Sequence, residues 1–429
     1  MILFLLAVLL GAILLGVPVL LAVALAGFIG VAAVPDLVLP LFAQKMFGQI
    51  NSFTLLALPY FILAGSIMSS GGISKRLVEF ARVLVGHLRA GLAHAAVVAS
   101  MVFAGVSGSS TADASAIGSI VIPTMKQSGY RAGFAAALIS VSGTIGSIIP
   151  PSMTMVVYGA LAQVSIGGLF LGGIIPGVMV GLFLMAVIKL HTYHPAFPEL
   201  RVVTDRFDAR AILPALREVW SALLAPVIII GGILSGVFTA TEAGVVACIY
   251  AFIVSFFIYR SITLRDMGGI LIDSAITTAM VSGIIAVAGA LGWLLAYLEF
   301  NETALGLITG VSQNKTVVLL ILTFAMLALT MFIESLSVLL VFVPVAVQIG
   351  RAFDVDPFQL GIIMVMANQI GATTPPMAPL LFVTTSIAGT SFDQTVRHVW
   401  PFIAAEVLVL LLVIFFEPLA SAIPNWVLG

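Results

Sequence analysis

Two carboxylates, Asp113 and Glu334, stand among small hydroxyl-bearing neighbours inside otherwise apolar sequence. The stretches are "AGVSGSSTADAS" at 104–115 and "MFIESLSV" at 331–338. Acidic groups are expensive in hydrocarbon, and where they occur they mark ion or substrate paths. Carboxylates, hydroxyls and freed backbone carbonyls together make a hard oxygen environment that suits a monovalent cation such as sodium. Ser110-x-x-Asp113 also fits a capping box at the start of a helix. Glu334 has no equally good capping partner in the sequence and reads as a binding group or a polar residue paired with a neighbour.

Each stretch is followed by a Pro-Pro pair where a bilayer would be deepest, in "IGSIIPPSMT" (145–154) and "IGATTPPMAP" (370–379). Proline removes a backbone donor and pushes the preceding residue out of the helical region. In lipid such unwound backbone survives only when buried in protein or lining a cavity. Carbonyls of Gly146 to Pro151, and of Gly371 to Pro376, can then face a cation, with Pro151 in the first turn of a new half-helix. One such pair reads as a plain kink. Two of them, at matching places in the two halves of the chain, read as a repeated device. The spacing from Pro123 to Pro344 equals that from Asp113 to Glu334, which sets the two carboxylates opposite one another.

The elements that must hold these groups are membrane helices. The chain is 61% hydrophobic and 8% charged, and runs of about twenty apolar residues mark a polytopic helical protein. Its net charge of −1 gives nucleic acid no footing. The single cysteine, Cys248, excludes an intrachain disulfide or a cysteine metal cluster. Expected spans are 2–33, 54–71, 91–108, 112–125, 132–163, 166–189, 221–239, 242–260, 277–298, 316–333, 335–350, 357–388 and 400–425. The uncharged stretch 2–33 is too long for a signal peptide and reads as a retained first helix. Segments 112–125 and 335–350 are too short for simple crossings, so 91–125 and 316–350 read as re-entrant hairpins.

Positive charge tests this layout. With both hairpins returning to their side of entry, Lys75 to Arg89, Lys126, Arg131, the loop cations from Lys189 to Arg217 (Arg206 among them), Arg260, Arg265 and Arg397 share one face. That leaves only Lys45, Lys315 and Arg351 of the 17 Lys and Arg opposite, as the positive-inside rule expects. The first hairpin then enters from the cytoplasm and the second from outside, giving inverted-topology repeats, a transporter signature. The segment 73–91 alternates basic and apolar faces and reads as an interfacial arm.

No Lys or Arg lies between Arg89 and Lys126, Arg131 and Lys189, or Lys315 and Arg351. An anionic substrate at the tips must therefore meet helix N-termini, hydroxyls and co-bound cations. Proton coupling through Asp113 or Glu334, in an anion symporter without a binding protein, is the main alternative. "GVSG" at 105–108 matches intramembrane serine proteases, but of five histidines only His94 sits within a span, on the same segment as Ser107. His94 reads as a satisfied interior or interface residue. Asp273, Glu242, Glu406 and Glu417 lie near the ends of expected spans and read as interface or helix-packing residues. A nucleotide-binding Gly-x-x-x-x-Gly-Lys loop is absent, which disfavours a pump. A permease borrowing a separate ATPase leaves the paired hairpins unexplained, and a passive channel needs no symmetrical cation sites.

The stretches "LLGVPVLLAVALAG", "LPYFILAGSIMSSGGISKRL", "FAGVSGSSTADASAIGSIVIP", "GTIGSIIPPSM" and "NQIGATTPPMAPLLF" together resemble the large, DctM-like membrane subunit of tripartite ATP-independent periplasmic (TRAP) transporters over essentially the whole chain. The resemblance implies a multi-pass protein of the bacterial inner membrane and no enzyme. It would import an organic acid (a C4-dicarboxylate, sugar acid or similar carboxylate) by an elevator-like motion, with Na+ as coupling ion. Two partners are implied: a small four-helix, DctQ-like membrane subunit and a soluble, DctP-like periplasmic binding protein. A first sodium site falls at Ser107, Ser109, Gly146, Ile149 and Pro151, and a second at Glu334, Ser335, Gly371, Thr374 and Pro376. Substrate is expected between the tips, near Ser107, Ser110, Thr111, Asp113, Glu334 and Ser337. The resemblance leads one to expect Asp where this chain has Glu334. Related divalent-anion/sodium symporters share the hairpin logic, but their Ser-Asn-Thr tip signature is not present.

The expected fold is thus all-α and polytopic, with inverted repeats that each carry a re-entrant hairpin and an interrupted helix. Its parts would be scaffold helices 1–72, transport repeat 73–163, scaffold 164–265 with the cytoplasmic loop 189–217, transport repeat 266–390, and a scaffold helix at 391–429.

Overall fold

Backbone in a bilayer must satisfy its own N–H and C=O groups, and this chain does so with helices, with no strand among the described residues. The computed structural model describes residues 1–35, 37–201, 203 and 207–428. Arg206 lies outside the described residues. In chain order the helices are α1 (Ile2–Leu14), α2 (Val19–Ala33), α3 (Leu39–Ile50), α4 (Ala57–Ser70), α5 (Ile73–Val85), α6 (Gly91–Ser107), α7 (Ser110–Gln127), α8 (Ala132–Thr144), α9 (Met153–Ala162) and α10 (Ile166–Tyr193). They continue with α11 (Ala209–Leu234), α12 (Ala240–Ile253), α13 (Leu264–Tyr297), α14 (Phe300–Val311), α15 (Lys315–Thr330), α16 (Ser335–Ala352), α17 (Pro357–Thr373), α18 (Pro379–Ala388), α19 (Phe392–Phe415) and α20 (Pro418–Leu428). Among the described residues six helices are long and apolar enough to cross a membrane, α10, α12 with its π-helical extension, α11, α13, α16 and α19; α16, at 18 residues, is longer than the 335–350 segment expected and so is not too short to cross. The protein is a multi-pass membrane protein.

Several boundaries differ from the sequence reading. Segment 2–33 is not one helix but two antiparallel ones. Gly16 turns the chain at φ +82, Pro18 restarts it, and Leu5 returns to within 3.0 Å of where a Cβ on Gly30 would lie. The 400–425 span ends at Phe415, and α20 folds back along α10, with the Ala420 carbonyl 2.5 Å from a Cβ built on Gly172. Helix α13 begins at Leu264 rather than near 277 and, at 34 residues, is about 51 Å long. A bend of 67° separates α4 from α5, whose buried face (Ile73, Leu77, Val78, Ala81) packs on α6 and α11.

The inverted repeat follows from contacts. Helix α8 runs parallel to α19: Gly133 lies at Gln394, and Thr144 reaches Glu406. Helix α17 runs antiparallel to α19, since Gln359 Nε2 near its start donates to the Val413 carbonyl at 3.0 Å. The two interrupted helices therefore point in opposite directions. Helices α6, α7, α8 and α9 keep a nearly constant offset from α15, α16, α17 and α18. Their first residues pair as Gly91 with Lys315, Ser110 with Ser335, Ala132 with Pro357 and Met153 with Pro379. This register corrects the pairing drawn from Pro123 and Pro344. The residue that caps α16, Glu334, stands where Ser109 caps α7. Asp113 thus corresponds to Val338, and Pro123 to Gln348. The Pro-Pro pairs at 150–151 and 375–376 keep this register, whereas Pro123 and Pro344 mislead because a proline inside a helix can drift while the cap fixes where the helix begins.

The breaks also differ in detail. Helix α9 starts at Met153, capped by Ser152, whose Oγ accepts from Met155 N–H at 3.2 Å. Pro151 therefore precedes the cap instead of forming the first turn. Both Pro-Pro peptides are cis.

Close backbone approaches hold the bundle, and the contact of α8 with α19 is one of the tightest. A Cβ on Gly133 would sit 2.6 Å from the Gln394 carbonyl oxygen, which belongs to backbone and has little freedom to yield. Gly133→Ala is expected to cost about 1–3 kcal/mol through overpacking, seen as a lowered unfolding temperature in detergent, whereas alanine at Gly231, with nothing within 4 Å, should leave it unchanged.

Candidate functional site

The first hairpin tip turns at Gly108, φ +67, against the break in the first interrupted helix. A Cβ there would come within 2.6 Å of the Pro151 carbonyl oxygen, and Met153 N–H donates to the Gly108 carbonyl at 3.1 Å. Ser107 Oγ donates to Asp113 Oδ1, and Ser109 N–H donates to Ser107 Oγ at 3.3 Å. Asp113 is 0% exposed. Its second oxygen, Oδ2, has no hydrogen-bond partner and lies against Gly146, where any Cβ would collide with it. The Ser109 carbonyl oxygen is 3.2 Å from the same point.

The second tip repeats the backbone contact but not the chemistry. Met377 N–H donates to the Met331 carbonyl at 3.2 Å. Glu334 caps α16, accepting from Leu336 N–H at 3.0 Å and from Ser337 N–H and Oγ at 2.9 Å. Gly371 packs against Thr330 Oγ1, and Thr374 Oγ1 donates to the Ile370 carbonyl at 2.7 Å.

Between the tips lies a cavity of about 170 Å³. Its wall is built from the first turns of four helices: Ser109, Ser110 and Thr111 of α7, Met153 and Thr154 of α9, Glu334, Ser335 and Leu336 of α16, and Pro379 and Leu380 of α18. Gly108, Ser147, Gln369 and Ala372 complete it, and among the described residues no Lys or Arg lines it. Helix N-termini carry unsatisfied N–H groups and the positive end of the helix dipole, so they attract an anion without a cationic side chain. Ser110 joins the halves: its Oγ donates to Gln369 Oε1 at 2.7 Å and lies 2.7 Å from Ser147 Oγ.

Residues 5–419 match the family model for the tripartite ATP-independent periplasmic transporter, DctM component. The chain belongs to the DctM family of TRAP transporters. It is 38% identical over 392 residues to the C4-dicarboxylate TRAP transporter large permease protein DctM of Pseudomonas aeruginosa, covering 91% of each chain. It is 36% identical over 414 residues to the isethionate TRAP transporter permease protein DctMQ of Oleidesulfovibrio alaskensis, covering 96% of this chain and 64% of that one. In fold it is similar to the YdaH transporter of Alcanivorax borkumensis, with a TM-score of 0.61 at 14% identity over 89% of this chain and 90% of that one. Members of the family are transporter permeases, not enzymes.

Within this DctM-family fold, the residues expected at the first cation site divide. Ser107, Ser109 and Gly146 gather around Asp113, while Pro151 meets the tip through its carbonyl. Ile149 sends its side chain to Gly177 of α10. Of the second set, Gly371 sits against Thr330 and Thr374 bonds back to the Ile370 carbonyl, whereas Glu334 and Ser335 belong to the cavity wall and Pro376 is exposed. Among the expected substrate residues Ser110, Thr111 and Glu334 line the cavity; Ser107, Asp113 and Ser337 do not.

Several readings of single residues are corrected. Ser109, not the Ser110–Asp113 pair, caps α7, through Ala112 N–H at 3.5 Å. Glu334 does have a capping role. Glu406, expected near a span end, lies inside α19 and is 1% exposed; it does pack between helices, accepting from Thr144 of α8 through Oε1, with Oε2 left without a partner. His94 is buried with Nδ1 unpartnered rather than satisfied. It stands in the first turn of α6 while Ser107 ends that helix, about 20 Å apart on a straight helix, so the two form no protease pair. Ser147, Thr154 and Gln369 were not anticipated; the polar pair Asn368–Gln369 inside an apolar run was the signal for the last.

Ser110→Ala leaves Gln369 Oε1 without its donor in a buried site. The expected cost is about 1–3 kcal/mol, read as easier unfolding in a denaturing-detergent titration, with Ser119→Ala on the outer face as the neutral control.

Proposed function

We propose that the chain is the large permease of a sodium-driven importer of an organic acid, supplied by a periplasmic binding protein and working in a bacterial inner membrane. The observation that carries this reading is the cavity walled by four helix N-termini and by hydroxyls, with no Lys or Arg among its described lining residues and with Asp113 Oδ2 unpartnered behind it. Helix starts and hydroxyls suit a carboxylate or sulfonate. The relatives' names point the same way, one to C4-dicarboxylates and one to isethionate.

Coupling follows from charge. Glu334 on the wall repels an incoming anion, so a bound cation is needed to offset it. Asp113, the Ser109 carbonyl and Ser107 offer oxygen ligands at the first break, with Gly146 leaving room beside the carboxylate. At the second break Thr330, Thr374 and the Gly371 segment would hold a second sodium ion, with Thr330 taking the place expected for Glu334.

Movement is assigned to an elevator. The moving body would comprise both hairpins and both interrupted helices, together with α10 and α19, which pack along them. Helices α1–α4 and α11–α13 would form the scaffold, since α13 packs chiefly on α2, α3 and α4. This redraws the expected division, which left 164–265 and 391–429 in the scaffold and joined 266–297 to the transport repeat. A small DctQ-like membrane subunit would dock on the scaffold. The isethionate relative, of whose own length about a third lies outside the matched region, supports such a partner.

The test needs no substrate: thermal unfolding of the purified chain in sodium chloride against equal choline chloride. A ligand that binds only the folded state stabilises it by about 2.7 kcal/mol at a hundredfold excess over Kd. A sodium-specific rise of several degrees, absent in Asp113→Asn, is expected. An equal melting temperature in both salts would overturn the sodium assignment and favour proton coupling.

A further inference from the structure

Lys126 and Arg351 stand at equivalent places in the register that pairs Ser110 with Ser335, each in the last turn of a hairpin's return helix. Lys126 Nζ donates to the Ala388 carbonyl at 2.6 Å. Arg351 Nη2 donates to the Ala162 carbonyl at 3.4 Å. Ala388 and Ala162 are the final residues of α18 and α9, the second halves of the interrupted helices. Each cation thus reaches into the other repeat: the first hairpin holds the half-helix of repeat two, and the second hairpin holds that of repeat one.

The consequence lies at the opposite ends of the same helices. Helices α7 and α18 pack side by side and run parallel, as do α16 and α9. Both members of each pair begin at the cavity. Parallel helices bring like dipole ends together, and a cation near paired C-termini offsets this. The hydrogen bond also fixes how far one helix can slide along its neighbour. The shorter member of each pair is therefore pinned at its C-terminus by a cation that is itself exposed, about 15 Å from the wall that must be aligned, given the 10 residues of α18 and of α9.

We propose that Lys126 and Arg351 are reciprocal positioning residues, each setting the axial register of one parallel helix pair and thereby the placement of two of the cavity's four helix starts. Its functional meaning rests on the cavity being the binding site, but its geometry does not depend on which ion or acid binds. The hairpins in this arrangement are tied at both ends and move with the body that carries the cavity.

Hydrogen–deuterium exchange on the purified full chain tests this in the absence of ligand. Lys126→Met should quicken exchange at least fivefold in peptides covering 109–113 and 379–383, and leave 153–157 and 334–338 unchanged. Arg351→Met should give the mirror image. Lys126→Arg and Arg351→Lys should restore the slower exchange. Should Lys126→Met fail to fold, judged by size exclusion, Lys126→Gln takes its place, removing the charge while keeping a donor. Unchanged exchange, a change confined to residues around 126 and 388, an equal rise in both pairs, or failure of the conservative variants to restore it would each overturn the proposal. Sodium-dependent unfolding in these variants is a separate readout, so failure of the cation assignment leaves this result intact.

Discussion

Two backbone hydrogen bonds organise the transport machinery: Met153 N–H to the Gly108 carbonyl and Met377 N–H to the Met331 carbonyl. An interrupted helix exposes N–H and C=O groups at a depth where water is scarce, and each must find a partner. Here each break finds it in the tip of its own hairpin, so hairpin and break specify one another. The four helix starts around the cavity follow from that pairing.

Close packing makes the pairing possible. Gly65 on α4 lies against the Ser107 carbonyl, 2.7 Å from where its Cβ would be, and Gly108 and Gly146 are held as tightly on the inner side of the tip. At the second break Pro376 and Met377 are exposed, while at the first Pro151 and Ser152 are buried. The repeats share a backbone plan and differ in chemistry: a buried carboxylate lies against Gly146, and a threonine hydroxyl against Gly371. The symmetry is one of positions, and the asymmetry is one of side chains: a carboxylate at the first break and a neutral hydroxyl at the second.

Much of this was legible in the sequence because hydropathy and proline act locally. The 91–108 helix, the interrupted helices and the inverted relation all follow from apolar run lengths, charge sidedness and the paired prolines. The hairpin in 2–33 was hidden because Gly16-Val17-Pro18 reads equally as a kink in an unbroken apolar run. Asp113 and Glu334 look equivalent because both are acidic and near a tip, yet the helix caps and the Pro-Pro pairs, not Pro123 and Pro344, set the register between halves. The roles of Gln369, Thr154 and Glu406 depend on what faces them across the bundle. Gln369 meets Ser110 from 259 residues away, and no local pattern carries that information.

The central claim is that the cavity between the tips passes from one face of the membrane to the other as a unit. Thr111 is exposed on its wall, and Cys248 is the only native thiol. The direct measurement is labelling of Thr111→Cys, in a Cys248→Ser background, by a membrane-impermeant thiol reagent applied to each face of oriented vesicles. The account predicts labelling from both faces, with a ratio that shifts when sodium replaces choline. Labelling from the same single face under every condition would contradict it.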